Sequence, residues 1–368
     1  MRIPEISRRT LIPGIAGLLV LLCIAVLAIP TTRSGVLDAW CDLTGSGCGA
    51  APGRHEESGS SGWRTQLSPV EAAIWGNYVA LGDSYSSGHG ADDYAPGTTG
   101  EGGCRRSANA YPEKIAAAYD FAGELGFFAC SSQKGNAMLE DLGSADSQLD
   151  RVSTHSSLVT LGIGGNDLGF TSILRTCMMR LPVVESHVCV DQEPDIEQRM
   201  GVFESTFEDL IAEIRVRAPD ARILVLGYPR LFPAEPTGMY YTLTVTDQQW
   251  LNRMTKRFNE QIKEAAAEAD AEIVDDRQVG SVEYIDVYNS LEGHEVGTEE
   301  PWLNGVLLAD LTGGITIDRS TFHPNALGQS AFGDRVSDQI DDGPERPLYA
   351  ARETLENASP EVLASEID

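Results

Sequence analysis

A chain of 368 residues, 42% of them hydrophobic, is long enough to bury one large core and carry extensions beside it. Its 55 acidic residues against 27 basic give a formal net charge of −28. That excludes nucleic acid as a partner, because phosphate binding needs clustered Lys and Arg, and it disfavours docking on anionic lipid through charge.

The N-terminus reads as an export segment. Arg2, Arg8 and Arg9 precede an uncharged apolar run from Leu11 to Ile29, and Asp38 and Asp42 follow it. At roughly 20 residues the run can span a bilayer, with the basic flank inside. Val26-Leu27-Ala28 is an acceptable cleavage site, so residues 1–30 are either a signal peptide or a retained signal anchor. Ser7-Arg8-Arg9-Thr10-Leu11-Ile12 also matches a short twin-arginine signal. Each alternative carries the remaining chain out of the cytoplasm. Of seven cysteines, Cys23 lies in the apolar run, and the other six suit an oxidising compartment. Adjacent pairing, Cys41–Cys48, Cys104–Cys130 and Cys177–Cys189, is the preferred connectivity. No Cys-x-x-Cys or His-x-x-x-His spacing supports a metal site.

Residues 31–75 read as a linker, richest in Gly, Ser and Ala from Thr44 to Arg64, with a short lead-in helix over Pro69–Ile74. The catalytic domain is expected over 76–340. Its first strand, Tyr78-Val79-Ala80-Leu81, ends in Gly82-Asp83-Ser84, followed by a glycine-rich loop to Gly103. A helix is expected over Asn109–Tyr119 and a second strand over Leu125–Ala129, ending at Cys130-Ser131-Ser132. A third strand, Leu158–Ile163, ends in Gly164-Gly165-Asn166-Asp167. A helix over Ile196–Val216 precedes the fourth strand, Arg222–Gly227. A long helix over Asp247–Ala269, capped by Thr246 or Asp247, precedes the fifth, Val282–Val287. The last helix, Pro324–Ile340, takes Pro324 into its first turn, and residues 341–368 form an acidic tail, a loose helix or unstructured. Apolar strands alternating with helices specify an α/β fold with a parallel sheet covered on both faces.

In such a sheet the carboxyl ends of the strands share one edge, where ligands bind. Ser84, the Ser131-Ser132 turn and Asn166 meet there, and His323 sits on the lead-in to the last helix. A serine hydroxyl becomes a nucleophile when a neutral imidazole takes its proton. The oxyanion that follows needs fixed donors. The main-chain N–H groups of Ser84 and Ser132 and the Asn166 amide can supply them.

Gly82-Asp83-Ser84-Tyr85, Gly164-Gly165-Asn166-Asp167 and Phe322-His323-Pro324-Asn325, in that order, resemble the blocks of the SGNH/GDSL hydrolases. Cys104-Arg105-Arg106-Ser107, Tyr111-Pro112, Ala129-Cys130-Ser131, and Gly293-His294 ahead of Pro301-Trp302-Leu303-Asn304 resemble its secreted actinobacterial lipase/esterase branch. The resemblance implies a flavodoxin-like, five-stranded α/β/α sandwich that hydrolyses acyl esters or lipids through an acyl-enzyme without a cofactor. It casts Ser84 as nucleophile, His323 as base, and Ser84, Ser132 and Asn166 as the oxyanion hole. Two positions depart from the pattern. Ser132 stands where the family usually has glycine. Ser320 stands three residues before the histidine where many members have Asp, so the main-chain carbonyl of Ser320 is expected to orient the ring, with Asp318 as the alternative.

Asp83 and Asp167 are expected to brace their own turns, and His294 to be structural or part of the pocket wall. His89, His155 and His187 are read as surface residues. The Cys177–Cys189 loop, with Met178, Met179, Leu181, Pro182, Val183 and Val184, reads as an acyl-chain wall or a small local core. Competing functions are polysaccharide deacetylation by the same machinery and a silent binding module on a membrane stalk through residues 11–29.

Overall fold

The computed structural model describes residues 64–178, 189–276, 280–306 and 318–351. The apolar run 11–29, Cys41 and Cys48, most of the linker and the end of the tail lie outside them. Among the described residues, no helix is long and apolar enough to cross a membrane.

The described chain opens with β1 (Arg64–Leu67) and closes with β7 (Leu348–Ala351), which pair antiparallel. Residues 64–75 and 341–351, expected in linker and tail, therefore belong to the folded unit. The reason is packing: Leu67 and Leu348 are both buried, too few apolar residues in either segment to signal a strand alone. Helix α1 (Pro69–Ile74) follows, started by a reciprocal capping box between Ser68 and Glu71.

The main sheet contains β2 (Asn77–Gly82), β3 (Leu125–Phe127), β4 (Ser156–Gly162), β5 (Arg222–Leu226) and β6 (Ser281–Ile285). All neighbours are parallel, in the order β3-β2-β4-β5-β6. Every residue of β4 and β5 is buried, which is why these strands read as runs and not as alternators. The order reverses at β2, so a crevice opens beyond the carboxyl ends of β2 and β4. The connecting helices are α2 (Ser84–Ser87), α3 (Tyr111–Ala118), α4 (Gly135–Glu140), α5 (Phe170–Met178), α6 (Glu193–Arg217), α7 (Val245–Asp276) and α8 (Ala326–Asp342). Helices α1 and α3 pack on α8, and α4 and α7 on α6. Helix α6 buries Ile196, Met200, Phe203, Phe207, Leu210 and Ile214, the three- and four-residue spacing of one helical face.

Two helix starts differ from expectation. The capping bonds of α7 belong to Thr244, whose hydroxyl accepts from the Asp247 N–H while the Asp247 carboxylate accepts from the Thr244 N–H. Helix α8 begins after Pro324, because the Asn325 side chain accepts from the N–H groups of Leu327 and Gly328, which proline cannot do.

Arg222 locks the start of α1 and the last turn of α8 to the sheet. It is fully buried and uses all five donors: Nε and Nη2 on Glu283 (2.8 and 2.7 Å), Nη1 on the carbonyls of Pro69 and Ile340 (2.7 and 2.9 Å), and Nη2 also on that of Gln339 (2.8 Å). Glu283→Ala strands this guanidinium without its counter-charge, so we expect a loss of about 3–5 kcal/mol in urea unfolding. A loss below about 1 kcal/mol would show that the pair is not holding α1 and α8 to the sheet.

Candidate active site

Strand β2 ends in a forced turn. Gly82 has φ +129°, and a Cβ there would lie 2.3 Å from the Gly162 carbonyl oxygen of β4. The Gln148 amide brackets Gly82, accepting from its N–H (2.9 Å) and donating to its carbonyl (3.1 Å). Asp83 caps α2 by accepting from the Tyr85 N–H (2.9 Å), which makes Ser84 the first residue of that helix. Ser84 Oγ lies 2.8 Å from Nε2 of His323.

His323 is held from several sides. Its segment bridges to residues 302–304: Phe322 N–H donates to the Asn304 carbonyl (2.8 Å), and Asn304 N–H to the His323 carbonyl (2.9 Å). The Tyr85 hydroxyl donates to the Phe322 carbonyl (2.7 Å). The imidazole is half-buried, with the rings of Tyr85 and His89 at 5.0 and 4.9 Å between centroids. Nδ1 lies 3.1 Å from the carbonyl oxygen of Thr321. This corrects the expected partner by one residue. The Ser320 carbonyl accepts the His323 main-chain N–H instead (3.0 Å), closing a turn that leaves the Thr321 carbonyl beside the ring. No hydrogen bond joins Asp318 to the ring; its carboxylate accepts from the N–H and hydroxyl of Ser320 (2.8 and 2.5 Å). With Nδ1–H donated to Thr321, the Nε2 lone pair is left for the serine proton. Burial pushes the imidazole down to about 4, opposed by the Thr321 carbonyl and the Asp318 charge.

Of the candidate oxyanion donors, Asn166 lines the same cleft as Ser84. Among the described residues, nothing in the protein accepts from the main-chain N–H of Ser84 or Ser132. The Asn166 amide donates one proton to the Gln133 carbonyl (2.9 Å), leaving the second available. Gly164, at φ +119°, lets the Gly-Gly-Asn turn lie on Phe258 and Phe203, whose rings would sit 2.5 and 2.6 Å from an added Cβ. Tyr228 fixes the same turn from below: its hydroxyl accepts from the Gly165 N–H (2.9 Å) and donates to Asp83 (2.7 Å). Burial raises the Asp83 carboxyl to about 7, against the hydrogen bonds from Tyr228 and Tyr85. Asp83 thus braces its own turn, whereas Asp167 accepts from the Gly135 N–H and braces the start of α4 (3.0 Å).

The disulfides Cys104–Cys130 and Cys177–Cys189 are present, and the first ties the Ser131-Ser132 turn to the loop after α2. His294 stacks on Trp302 with 3.8 Å between ring centroids and bonds the Glu300 carbonyl. His155 is exposed, and His187 lies outside the described residues. His89 is not a surface residue: it is 4% exposed and packs on His323, because the loop after α2 folds back over the site. A cleft opens from Ser84 and His323. Its apolar wall includes Phe170, Ile173, Ile196, Leu251, Met254 and Phe258, from α5, α6 and α7. Residues 179–184 of the expected acyl-chain wall lie outside the described residues. Sequence reasoning missed Tyr85, Tyr228, Thr321 and the short helix α5; only Tyr85, inside the Gly-Asp-Ser-Tyr block, carried a signal.

A serine in contact with a desolvated imidazole, at the carboxyl edge of a parallel sheet and beside an apolar cleft, is an arrangement chemically suited to ester hydrolysis. Residues 80–331 match the GDSL-like lipase/acylhydrolase family, and the chain belongs to it. It is a carboxylic-ester hydrolase of lipase/esterase type. "Lipase 1" of Streptomyces coelicolor is 30% identical over 262 residues, 71% of this chain and 85% of that protein. A Streptomyces rimosus lipase is 30% identical over 254 residues, 69% and 82% of the two chains. The crystal structure of phospholipase A1 from Streptomyces albidoflavus NA297 superposes with a TM-score of 0.60 at 28% identity, over 72% of this chain and 99% of that one. The fold is the α/β sandwich expected from the sequence.

Proposed function

We propose that the protein hydrolyses acyl esters of lipid type outside the cytoplasm, through an acyl-enzyme on Ser84. The observation that carries this reading is the 2.8 Å contact between Ser84 Oγ and His323 Nε2. In the forward step His323 takes the Ser84 proton as Oγ bonds to the ester carbonyl carbon. The carbonyl oxygen becomes an oxyanion, held by the N–H groups of Ser84 and Ser132 and by the Asn166 amide. On collapse, His323 returns the proton to the leaving alkoxide and the alcohol departs. Water, deprotonated by the same imidazole, then releases the acid and restores Ser84. Thr321 supplies the carbonyl that keeps Nδ1–H in place, so the unit is a dyad with a main-chain orienting group. Export is supported by the two disulfides and the basic-then-apolar N-terminus. It is also in keeping with the solved relative described as an extracellular lipase from Streptomyces rimosus.

The apolar cavity favours acyl chains well beyond acetyl over the polysaccharide-deacetylase reading. A series of p-nitrophenyl esters should therefore give a kcat/KM that rises from acetyl to a medium or long chain. Each methylene accommodated is worth up to about 0.8 kcal/mol of burial, or about fourfold. A maximum at acetyl, with a steep fall beyond it, would overturn the lipid-ester reading and support the deacetylase.

A further inference from the structure

His89 follows Gly88, the left-handed glycine that ends α2. Its main-chain N–H donates to the Ser84 carbonyl (3.0 Å). Its ring packs against that of His323, with 4.9 Å between centroids. Its Nδ1 lies 2.9 Å from Ser131 Oγ. One buried residue therefore touches the serine segment, the histidine segment and the Ser131-Ser132 turn.

That turn needs holding. Ser132 has φ +71°, a conformation that costs a residue with a Cβ roughly 1–2 kcal/mol relative to glycine. The Ser132 side chain is exposed and, among the described residues, makes no hydrogen bond that would compensate. The turn is instead fixed through its neighbours: Cys130 N–H on the Gly82 carbonyl (3.0 Å), Ser131 N–H on that of Cys104 (3.0 Å), and Gln133 N–H on that of Cys130 (3.1 Å). The Ser131–His89 contact is the one side-chain hydrogen bond that ties the two serines of this turn to the catalytic segments, among the described residues. Gln133 in turn holds the Asn166 amide.

We propose that His89 is a positioning residue: its bond to Ser131 Oγ holds the Ser131-Ser132 turn in the left-handed form that directs the Ser132 N–H to the ester oxygen. The proposal rests on the oxyanion role given to Ser132 above. Burial, together with His323 and Arg105, pushes the His89 imidazole down to about 3, against the Asp318 charge. Arg319 acts in the same direction as Arg105, so these four groups face the ring and leave it neutral near neutral pH. Its contribution is therefore a hydrogen bond and not a charge.

The test is a cycle of variants in the full chain, read on a soluble p-nitrophenyl ester. His89→Phe keeps a ring against His323 and removes Nδ1. It should lower kcat by up to about tenfold, the worth of one hydrogen bond, with KM within about twofold. His89→Asn, which retains a polar atom at the δ position, should recover most of that loss. The same His89→Phe change in a Ser132→Gly background should cost less than about threefold, because glycine adopts the turn without help. Equal losses in both backgrounds, a loss in KM alone, or no recovery with Asn would each overturn the proposal. If His89→Phe does not fold, Ser131→Ala removes the same bond and the cycle is run with it. Ser84→Ala separates the two levels. If it abolishes turnover while the cycle is additive, only the role of His89 falls; if it leaves turnover intact, the acyl-enzyme reading itself falls.

Discussion

His323→Ala is expected to lower kcat on a soluble ester by about 10⁶-fold, the scale seen when a serine hydrolase loses its serine or histidine alone. Without the imidazole, Ser84 keeps its proton at neutral pH, and no other described side chain is hydrogen-bonded to its Oγ. Asp318→Asn is the matched control. A carboxylate that fixes the tautomer of a catalytic histidine can be worth about 10⁴ in kcat. Here the Nδ1 partner is the Thr321 carbonyl, and Asp318 is occupied with Ser320. The substitution should leave kcat within about threefold, and a collapse toward 10⁴ would restore Asp318 as a third member. The pH profile follows from the same environment. The base works only when neutral, and burial places its titration at about 4 instead of 6.5. Activity should hold as pH falls from 7 to about 5, then drop about tenfold per unit below the imidazole value. An acid limb near 6.5 would mean that the ring is solvated in the working enzyme.

Asn166→Ala is expected to lower kcat by about 10²–10³-fold, with KM little changed. The amide is held through one proton by Gln133 and lies on a turn fixed by Gly164, Tyr228 and Asp83, so its second proton costs little reorganisation as the oxyanion forms. An effect below about threefold in a folded protein would remove Asn166 from the site. Asn166→Asp provides a sharper contrast. A carboxylate keeps the volume but turns a donor into an acceptor, and repels the developing charge, so its loss should equal or exceed that of alanine.

The parts legible in the sequence were those with local signatures. Strands β4 and β5 are buried on both faces, so they appear as apolar runs. Ser84 follows a strand that stops at glycine, and His323 stands beside a proline and the Asn325 cap. The parts not legible depend on distant partners or on the main chain. Tyr228 reaches Asp83 across 145 residues, and nothing near either residue announces the other. The orienting group of His323 is a main-chain carbonyl, which any residue carries, so one turn of loop geometry decided between Ser320 and Thr321. His89, between two glycines, has the composition of an exposed loop; only the fold of that loop over His323 buries it. The apolar wall combines one face of each of three helices, and α5 is too short to announce itself by periodicity.

A covalent acyl-enzyme on Ser84 makes that hydroxyl a direct target for active-site labelling. The intact protein is treated with a fluorophosphonate, and the modified peptide is located by mass spectrometry alongside the loss of esterase activity. One label per chain is expected, on Ser84, appearing in step with inactivation and slowed severely in His323→Ala. Full inactivation with the label on another residue, or undiminished ester hydrolysis by Ser84→Ala, would contradict it.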